Sequence, residues 1–282
     1  MSCELCPRRC RAEGFCGKEE DGLCVVAKTM IHRWEEPCVS GKNGSGAVFF
    51  AGCNLRCVFC QNFAISRPRP LAGRRLDAEG LYQVFLELHR QNAENINLVS
   101  PTHMLPVIRA AMRLAKARGF PLPFVWNSNG YESVEALQTL EGLVALYLPD
   151  LKYCSGALSL RYSGVGDYFE HACAALREMH RQGEILVRHM VLPGCRKDSM
   201  HVLDWLAGHL PRARLSLLAQ YTPMGGPPEL NRRLTGFEYQ SVAEHALKLG
   251  LEGYMQGREA ATAAYTPDFT CESGLPGGQS QP

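Results

Sequence analysis

The feature that most constrains this chain is a group of three closely spaced cysteines, Cys53, Cys57 and Cys60, in the pattern C-x3-C-x2-C. The group directly follows the apolar segment 47–51, which predicts a buried strand. Such a loop can place three thiolates around an iron–sulfur cluster, although these clusters usually take four cysteine ligands. The pattern therefore predicts a [4Fe-4S] cluster with one iron open to another ligand. The alternative is three structural cysteines in a loop.

A second cysteine-rich segment lies at the N-terminus. It has few apolar residues, so a bound metal would supply stabilisation that its small core cannot. Thiolates suit both zinc and iron–sulfur clusters, and five candidates compete for four positions. The sequence therefore predicts either a second site, with zinc or an auxiliary iron–sulfur cluster, or a cap with free thiols. The five candidates are Cys3, Cys6, Cys10, Cys16 and Cys24.

Composition limits the compartment and the partners. Thirteen cysteines are many for a reducing compartment, where clustered cysteines more often bind metal than form disulfides. Residues 1–6 lack the apolar segment of a secretion signal, and no stretch reaches the roughly 18 apolar residues of a membrane span. We therefore expect a cytoplasmic protein that is not held at a membrane. A net charge of +2, without long runs of one sign, gives no indication of nucleic-acid binding.

Beyond Cys60, short apolar runs alternate with amphipathic stretches, a pattern typical of βα units in a parallel sheet. The sequence predicts an α/β fold, an incomplete parallel (β/α)6 barrel over residues 41–265. A small Cys-rich N-terminal cap and linker, residues 1–40, precede the barrel, and a tail of residues 266–282 is predicted to be disordered. The six predicted strands are 47–51, 95–99, 123–126, 143–148, 184–192 and 214–221.

Polar residues follow the predicted strands at their carboxyl ends, where parallel barrels place their chemistry. Because these ends meet at one face of the barrel, we expect the polar side chains to lie around the cysteine loop. The candidates are Ser100, Thr102, His103, Asn127, Ser128, Asn129, Asp150, Lys152 and Arg188.

The cysteine motif, the strand before it and Phe59 resemble the signature of the radical S-adenosylmethionine (SAM) superfamily. The resemblance implies that the amino group and carboxylate of SAM fill the open iron position. It also implies that the reduced cluster cleaves SAM to a 5′-deoxyadenosyl radical, so that the cofactors carry the difficult chemistry.

The resemblance also implies roles for the polar residues. Lys152 or Arg188 would pair with the SAM carboxylate. Hydrogen bonds to the ribose would come from Asn127, Ser128 or Asn129. Ser100 and Thr102 occupy the position of the SAM amino group, where the superfamily usually has Gly-Gly-Glu, and His103 would contact substrate or donate a proton.

A closer resemblance, to pyruvate formate-lyase activating enzymes, covers nearly the whole chain. It rests on Gly41–Gly46, Cys60-Gln61-Asn62, Asn129-Gly130 and Asp150-Leu151-Lys152. The pattern C-x2-C-P-R-x-C at Cys3 to Cys10, with His32-Arg33-Trp34-Glu35-Glu36-Pro37, is similar to an uncharacterised branch of homologues of these enzymes.

This resemblance implies that Asp150 and Lys152 lie beside SAM. It further implies an oxidoreductase that removes hydrogen from a glycine of a glycyl radical enzyme, with an electron donor such as flavodoxin or ferredoxin. Two alternatives stay open: radical SAM modification of a peptide or small molecule, and a non-enzymatic protein that binds iron or zinc.

The segment 32–38 is predicted to be a solvated linker between the cap and the barrel. Glu35 and Glu36 are candidate catalytic carboxylates, but adjacent side chains are expected to point apart. We therefore expect these two carboxylates not to act as a pair, and Trp34 to pack against the barrel.

Overall fold

The computed structural model describes residues 3–10, 15–17, 22–67, 71–256 and 269. Within these residues the chain forms one sheet of nine strands with helices between them. In spatial order the sheet runs β3-β1-β2-β4-β5-β6-β7-β8-β9. The strands are β1 (Cys24–His32), β2 (Ser45–Phe50), β3 (Arg74–Leu76), β4 (Ile96–Val99), β5 (Phe124–Ser128), β6 (Leu146–Pro149), β7 (Glu184–Met190), β8 (Arg214–Leu218) and β9 (Gly253–Met255).

Helices connect the parallel strands, and local sequence signals set where they begin. Asp77 accepts a hydrogen bond from the Gly80 backbone N–H at the start of α3, and Thr235 with Glu238 forms a capping box at the start of α9. The helices are α1 (Pro37–Ser40), α2 (Phe63–Ser66), α3 (Ala78–Arg90), α4 (Leu105–Ala117), α5 (Val134–Gln138), α6 (Gly156–Ser163), α7 (Tyr168–Gln182), α8 (Arg196–His209) and α9 (Gly236–Lys248).

The predicted α/β fold is confirmed. All six predicted strands are present as β2, β4, β5, β6, β7 and β8, and neighbours in this series pair in parallel. A short seventh parallel strand, β9, pairs with β8 and was not predicted. The described sheet ends at β3 on one side and at β9 on the other, so the barrel is incomplete.

The N-terminal region differs from the prediction. Strand β1 pairs with β2 in antiparallel register, from Val26 opposite Phe50 to His32 opposite Ser45. Part of the predicted cap and linker therefore belongs to the sheet. The segment before β1 and residues 33–40, which include α1, lie outside the sheet, and residues 11–14 and 18–21 are outside the described residues.

Side chains on the inner face of the sheet are closed off at one end by α1. Val39 of α1 is fully buried and packs against Val125, Leu146, Leu148 and Leu186. Because His32 and Ser45 pair at the start of β2, this floor lies at the opposite end of the sheet from the cysteine loop. The floor leaves a closed space between α1 and the cysteines.

No helix in the described part of the chain is long and apolar enough to cross a membrane. The predicted disordered tail lies outside the described residues, apart from residue 269.

Candidate active site

A cavity of about 600 Å³ lies inside the curved sheet, within the range of about 300–1,000 Å³ usual for small-molecule sites. Strands β4, β5, β7, β8 and β9 each contribute lining residues, and the segment after β6 contributes Asp150 and Lys152. Most residues predicted from the sequence line it together. They are Cys53, Cys57, Cys60, Ser100, Asn127, Ser128, Asn129, Asp150, Lys152 and Arg188.

The three cysteines of the loop after β2 face this cavity as free thiols. Burial raises the pKa of Cys57 to about 12 and also raises the pKa of Cys60, with neighbouring thiols acting in the same direction. Asn129 Nδ2 donates a hydrogen bond to Cys53 Sγ at 3.5 Å. Three mutually close sulfur donors fit an iron–sulfur cluster, whose potential is tuned by such N–H···S bonds.

Among the described residues, no group of three or more His, Cys, Asp or Glu side chains is placed to hold a single metal ion. This agrees with the chemistry of the loop, because thiolates around one tetrahedral zinc, at about 2.3 Å from the metal, crowd closer than ligands on separate corners of a cluster.

Backbone hydrogen bonds fix the shape of the cysteine loop. The N–H groups of Arg56 and Val58 donate to the carbonyls of Ser163 and Tyr162 at 3.1 and 2.8 Å. Arg67 Nη2 donates to the Cys57 carbonyl at 2.7 Å. The loop is thus held by α6 on one side and by its own chain on the other.

Asp150 and Lys152, which follow β6, form a partly buried ion pair with 2.5 Å between Nζ and Oδ2. Burial opposes the charged form of Lys152, but Asp150 and Cys57 raise its pKa. The ammonium is therefore charged beside the cysteine loop. It still has two N–H donors beyond the one given to Asp150.

Ser100 lines the cavity in a left-handed backbone conformation, with φ 56°. Few residues other than glycine adopt this conformation, and such strain is concentrated at functional sites. Ser100 lies at the position for which the resemblance described above implies Gly-Gly-Glu. The backbone at Ser100 therefore takes a shape that a glycine would adopt freely.

A buried carboxylate, not singled out from the sequence, connects two of the predicted residues. Glu132 accepts hydrogen bonds from Thr102 Oγ1 at 3.0 Å, Trp126 Nε1 at 3.0 Å and Ser128 Oγ at 2.5 Å. Burial raises the pKa of Glu132, while these bonds act in the opposite direction. The hydroxyl hydrogen of Ser128 is thereby committed, so its oxygen can only accept bonds from a ligand.

Two predicted residues lie behind the cavity wall rather than on it. Thr102 and His103 are buried and are not among the lining residues. The His103 ring bonds the Ala51 carbonyl through Nε2 at 2.7 Å. His103 thus fixes the end of β2 before the cysteine loop and does not face the cavity.

The prediction that residues 32–38 form a solvated linker is wrong for His32, Glu35 and Glu36, whereas the other residues of the segment are exposed. Arg188 donates from Nε and Nη2 to Glu36, at 2.8 and 2.5 Å, and from Nη2 to Glu35. The two adjacent carboxylates do act as a pair, since one guanidinium reaches both. Trp34 is 62% exposed at the cavity edge instead of packing on the barrel.

This triad changes the environment of Arg188. Burial opposes its charged form, but the two carboxylates raise its pKa. Arg188 faces the cavity as predicted, yet three of its five N–H groups are engaged by the protein.

The N-terminal cysteines divide into two groups. Cys3, Cys6 and Cys10 lie on one turn, closed by a Cys3 N–H to Cys10 carbonyl bond of 2.8 Å. Burial raises the pKa of Cys6, and the other two thiols act in the same direction. Cys24 instead lies fully buried in β1, where burial raises its pKa to about 12.

The turn docks against the cysteine loop. Arg8 Nε donates to the Asn54 carbonyl at 2.5 Å, and the Ser133 N–H donates to the Leu5 carbonyl at 3.3 Å. Cys16, which is buried, lies close to Gly52, the residue before Cys53. The N-terminal thiols therefore approach the loop from outside the cavity.

Comparison with protein families matches residues 47–206 to the family described as the radical SAM superfamily. This range runs from β2 into α8 and contains the cysteine loop and the residues after the next four strands. A curated relative, an uncharacterised protein of Methanocaldococcus jannaschii, is 29% identical over 272 residues, with 89% of this chain and 76% of the relative covered.

Solved structures match at lower identity. Streptococcus suis SuiB bound to S-adenosylmethionine aligns with a TM-score of 0.58 and 11% identity, over 73% of this chain and 48% of that chain. The anSMEcpe structure with bound AdoMet aligns with a TM-score of 0.51 and 13% identity, over 73% of this chain and 61% of that chain. This chain thus spans about half the length of SuiB. At these identities the likeness is one of fold.

Proposed function

The chain belongs to the radical SAM superfamily, and on this premise we propose that Cys53, Cys57 and Cys60 hold the [4Fe-4S] cluster of a radical SAM enzyme. When bound and reduced, the cluster would supply one electron that breaks a C–S bond of SAM, giving methionine and a 5′-deoxyadenosyl radical that would take a hydrogen atom from the substrate. The observation that carries this proposal is that the three thiols share one cavity with the Asp150–Lys152 pair.

We assign the SAM contacts to residues around the same cavity. Lys152 has donors left for the SAM carboxylate. The left-handed backbone of Ser100 supports its place beside the amino group. Asn127, Ser128 and Asn129 would bond the ribose, with Ser128 as an acceptor because its proton is held by Glu132. Thr102 would act behind Ser128 through the same carboxylate.

A glycyl radical enzyme is the first candidate for the hydrogen donor. Support comes from the likeness of Asp150-Leu151-Lys152 to the activating enzymes. The His32–Pro37 segment is similar to an uncharacterised branch of their homologues and adds kinship only. In this reaction the hydrogen of a glycine Cα–H bond would move to the deoxyadenosyl carbon and leave a radical on the partner protein. Flavodoxin or ferredoxin would supply the electron.

A second candidate substrate is a peptide or small molecule. The structure of SuiB bound to its precursor peptide SuiA aligns with a TM-score of 0.55 over 73% of this chain, which favours a barrel that admits a peptide. The incomplete sheet is compatible with either substrate.

For the N-terminal turn we propose a second metal site, an auxiliary iron–sulfur cluster or zinc, at Cys3, Cys6 and Cys10. Binding of zinc would have to draw these thiols closer together, because in the described structure they do not surround a single ion. The mutual approach of their thiols supports these three, and Cys16 is the nearest remaining candidate in sequence. Cys24 is left out because it is part of the β1 core. Metal analysis of a triple Cys-to-Ala variant at residues 3, 6 and 10 tests the site, because unchanged zinc and iron would exclude it.

The experiment that tests the main proposal is anaerobic cluster reconstitution, followed by dithionite and SAM. Wild-type protein should form 5′-deoxyadenosine, and Cys57→Ala should form none. Cys173→Ala is the matched control, because this thiol is buried in α7 away from the cavity and should leave product formation unchanged. Equal background from wild type and Cys57→Ala would reject the radical reaction. Iron bound without product would then favour a non-enzymatic metal-binding protein.

A further inference from the structure

The cavity contains a second polar group apart from the cysteine loop. Arg188 of β7 is bonded to Glu36 through two nitrogens and to Glu35 through one. Asn97 Nδ2 donates to the other oxygen of Glu35 at 3.0 Å. The side chains of Arg188, Glu35 and Glu36 are 14%, 11% and 7% exposed, and all three line the cavity. The charges are therefore buried but still face the space in which a substrate would lie.

The charges of the cavity wall do not balance. Its described carboxylates are Glu35, Glu36 and Asp150, and its described cations are Lys152 and Arg188. Asp150 is paired with Lys152, whereas Glu35 and Glu36 share one guanidinium, so this pair of glutamates keeps one net negative charge in a place where charge is costly to bury. A cation entering the cavity would supply the missing partner.

His32 adds an acceptor beside the carboxylates. It lines the same cavity, is 8% exposed, and its Nδ1 has no hydrogen-bond partner in the described structure. Burial lowers its pKa, so the ring is neutral near pH 7. A neutral imidazole with its proton on Nε2 accepts a hydrogen bond at Nδ1. An acceptor and a surplus negative charge together match a ligand that carries several N–H donors.

We propose that His32, Glu35, Glu36 and Arg188 form a recognition site for a cationic group of the substrate, an alkylammonium or a guanidinium. The site rests on the proposed function, because it orients the molecule that loses the hydrogen atom. Carboxylates would bind the cation, Arg188 would fix the positions of both carboxylates, and His32 would accept one N–H. For a protein or peptide substrate, this group is a lysine or arginine side chain near the reacting carbon.

The test compares three probes that share one backbone and differ only in side chain. They are the N-acetyl amides of lysine, norleucine and glutamate. Equilibrium binding to the reconstituted protein with SAM is measured by isothermal titration calorimetry under anaerobic conditions. The lysine probe should bind at least about tenfold more tightly than the other two, as expected for a charge-assisted contact. Equal binding of lysine and norleucine probes, preference for the glutamate probe, or no saturable binding of the lysine probe overturns the proposal.

Variants locate the site. Glu35→Gln removes the surplus charge with little change in shape and should abolish the preference for lysine over norleucine. Glu178→Gln, which alters another buried carboxylate paired with arginine but outside the cavity, should preserve that preference. His32→Phe keeps the ring that packs against Phe49 and should weaken lysine binding severalfold. His32→Phe provides a second test if Glu35→Gln does not fold. If either folded variant binds the lysine probe in preference to the norleucine probe as strongly as the wild type does, the assignment is overturned.

Formation of 5′-deoxyadenosine without any probe is measured in the same samples. Product with no lysine preference would reject the recognition site but leave the radical reaction standing. Lysine preference lost in Glu35→Gln, without any product, would reject the radical reaction but keep the site.

Discussion

Replacing Arg188 with methionine should strongly destabilise the protein at neutral pH. The change keeps an apolar stem of similar length but leaves Glu35 and Glu36, which are 11% and 7% exposed, without their cation. Removing one partner of a buried ion pair costs about 3–5 kcal/mol. Total stability is about 5–15 kcal/mol, so the loss is a large fraction of the whole. The melting temperature should fall by at least about 6 °C.

The destabilisation of Arg188→Met should depend on pH with a definite sign. In the wild type, burial acts to raise the pKa of Glu36, but the charge and bonds of Arg188 outweigh it and hold the pKa low. The resulting stabilisation is present above the ordinary pKa and is lost as acid protonates the folded state. In the variant, burial, which has the largest influence on Glu36, acts without the opposing charge and bonds of Arg188 and raises the pKa. Protons then bind the folded variant more tightly, so acidification to pH 5.5 should narrow the stability gap by about 1.4 kcal/mol for each pH unit by which the folded pKa of a carboxyl in the variant lies above 5.5.

The assay is denaturant unfolding of the reduced apoprotein at pH 8 and pH 5.5, followed by the fluorescence of buried Trp126. Arg118→Met is the matched control, because Arg118 forms an exposed pair with Glu79 whose side chains are 45% and 48% exposed. That control should leave the unfolding midpoint unchanged at both pH values. A cost below about 1 kcal/mol for Arg188→Met at pH 8, or a gap that widens on acidification, would refute the reasoning.

Three further predictions test other parts of the site. Gly130→Ala should lower the unfolding free energy by about 2 kcal/mol more than Gly119→Ala in denaturant titrations, because both glycines have positive φ but only Gly130 would place a Cβ 2.5 Å from a backbone carbonyl. Glu132→Gln should weaken SAM binding about tenfold in equilibrium dialysis. The amide keeps one acceptor oxygen for Thr102 and Trp126 and turns its NH2 group towards Ser128, which then no longer donates its proton there; unchanged affinity would contradict this. Cys24→Ala should keep the metal content of the wild type by elemental analysis while costing about 1 kcal/mol of stability.

The parallel strands could be predicted because each is a short apolar run between amphipathic helices, a signal that depends on local sequence alone. Strand β1 was missed because its residues, Cys24–His32, follow a segment rich in cysteine, glutamate, arginine and glycine, which indicated a metal-bound cap. Strand β9 has three residues, Gly253–Met255, too few for a periodic pattern. The sequence therefore did not predict the strands near the two edges of the sheet, β1 and β9.

Site residues could be predicted from the sequence where they lie at the carboxyl end of a parallel strand. Ser100, Asn127 and Asp150 were found because the residue after a parallel strand faces the same end of the sheet. The pairing of Glu35 and Glu36 could not be found this way. Neighbouring side chains diverge in a regular strand, but Glu36 precedes the N-terminus of α1 and the chain bends there. The partner, Arg188, is 152 residues away from Glu36, a separation that no local pattern spans.

The triad also decides between the two cations proposed for the SAM carboxylate. Lys152 and Arg188 each have two N–H donors left after their protein contacts, so donor number does not separate them. Charge does, because a carboxylate approaching Arg188 would meet two carboxylates already bound there, whereas at Lys152 it would meet only Asp150. Like charges in a buried site repel strongly at the low local dielectric. We therefore expect the SAM carboxylate at Lys152, next to Cys57, which leaves Arg188 to order the two glutamates.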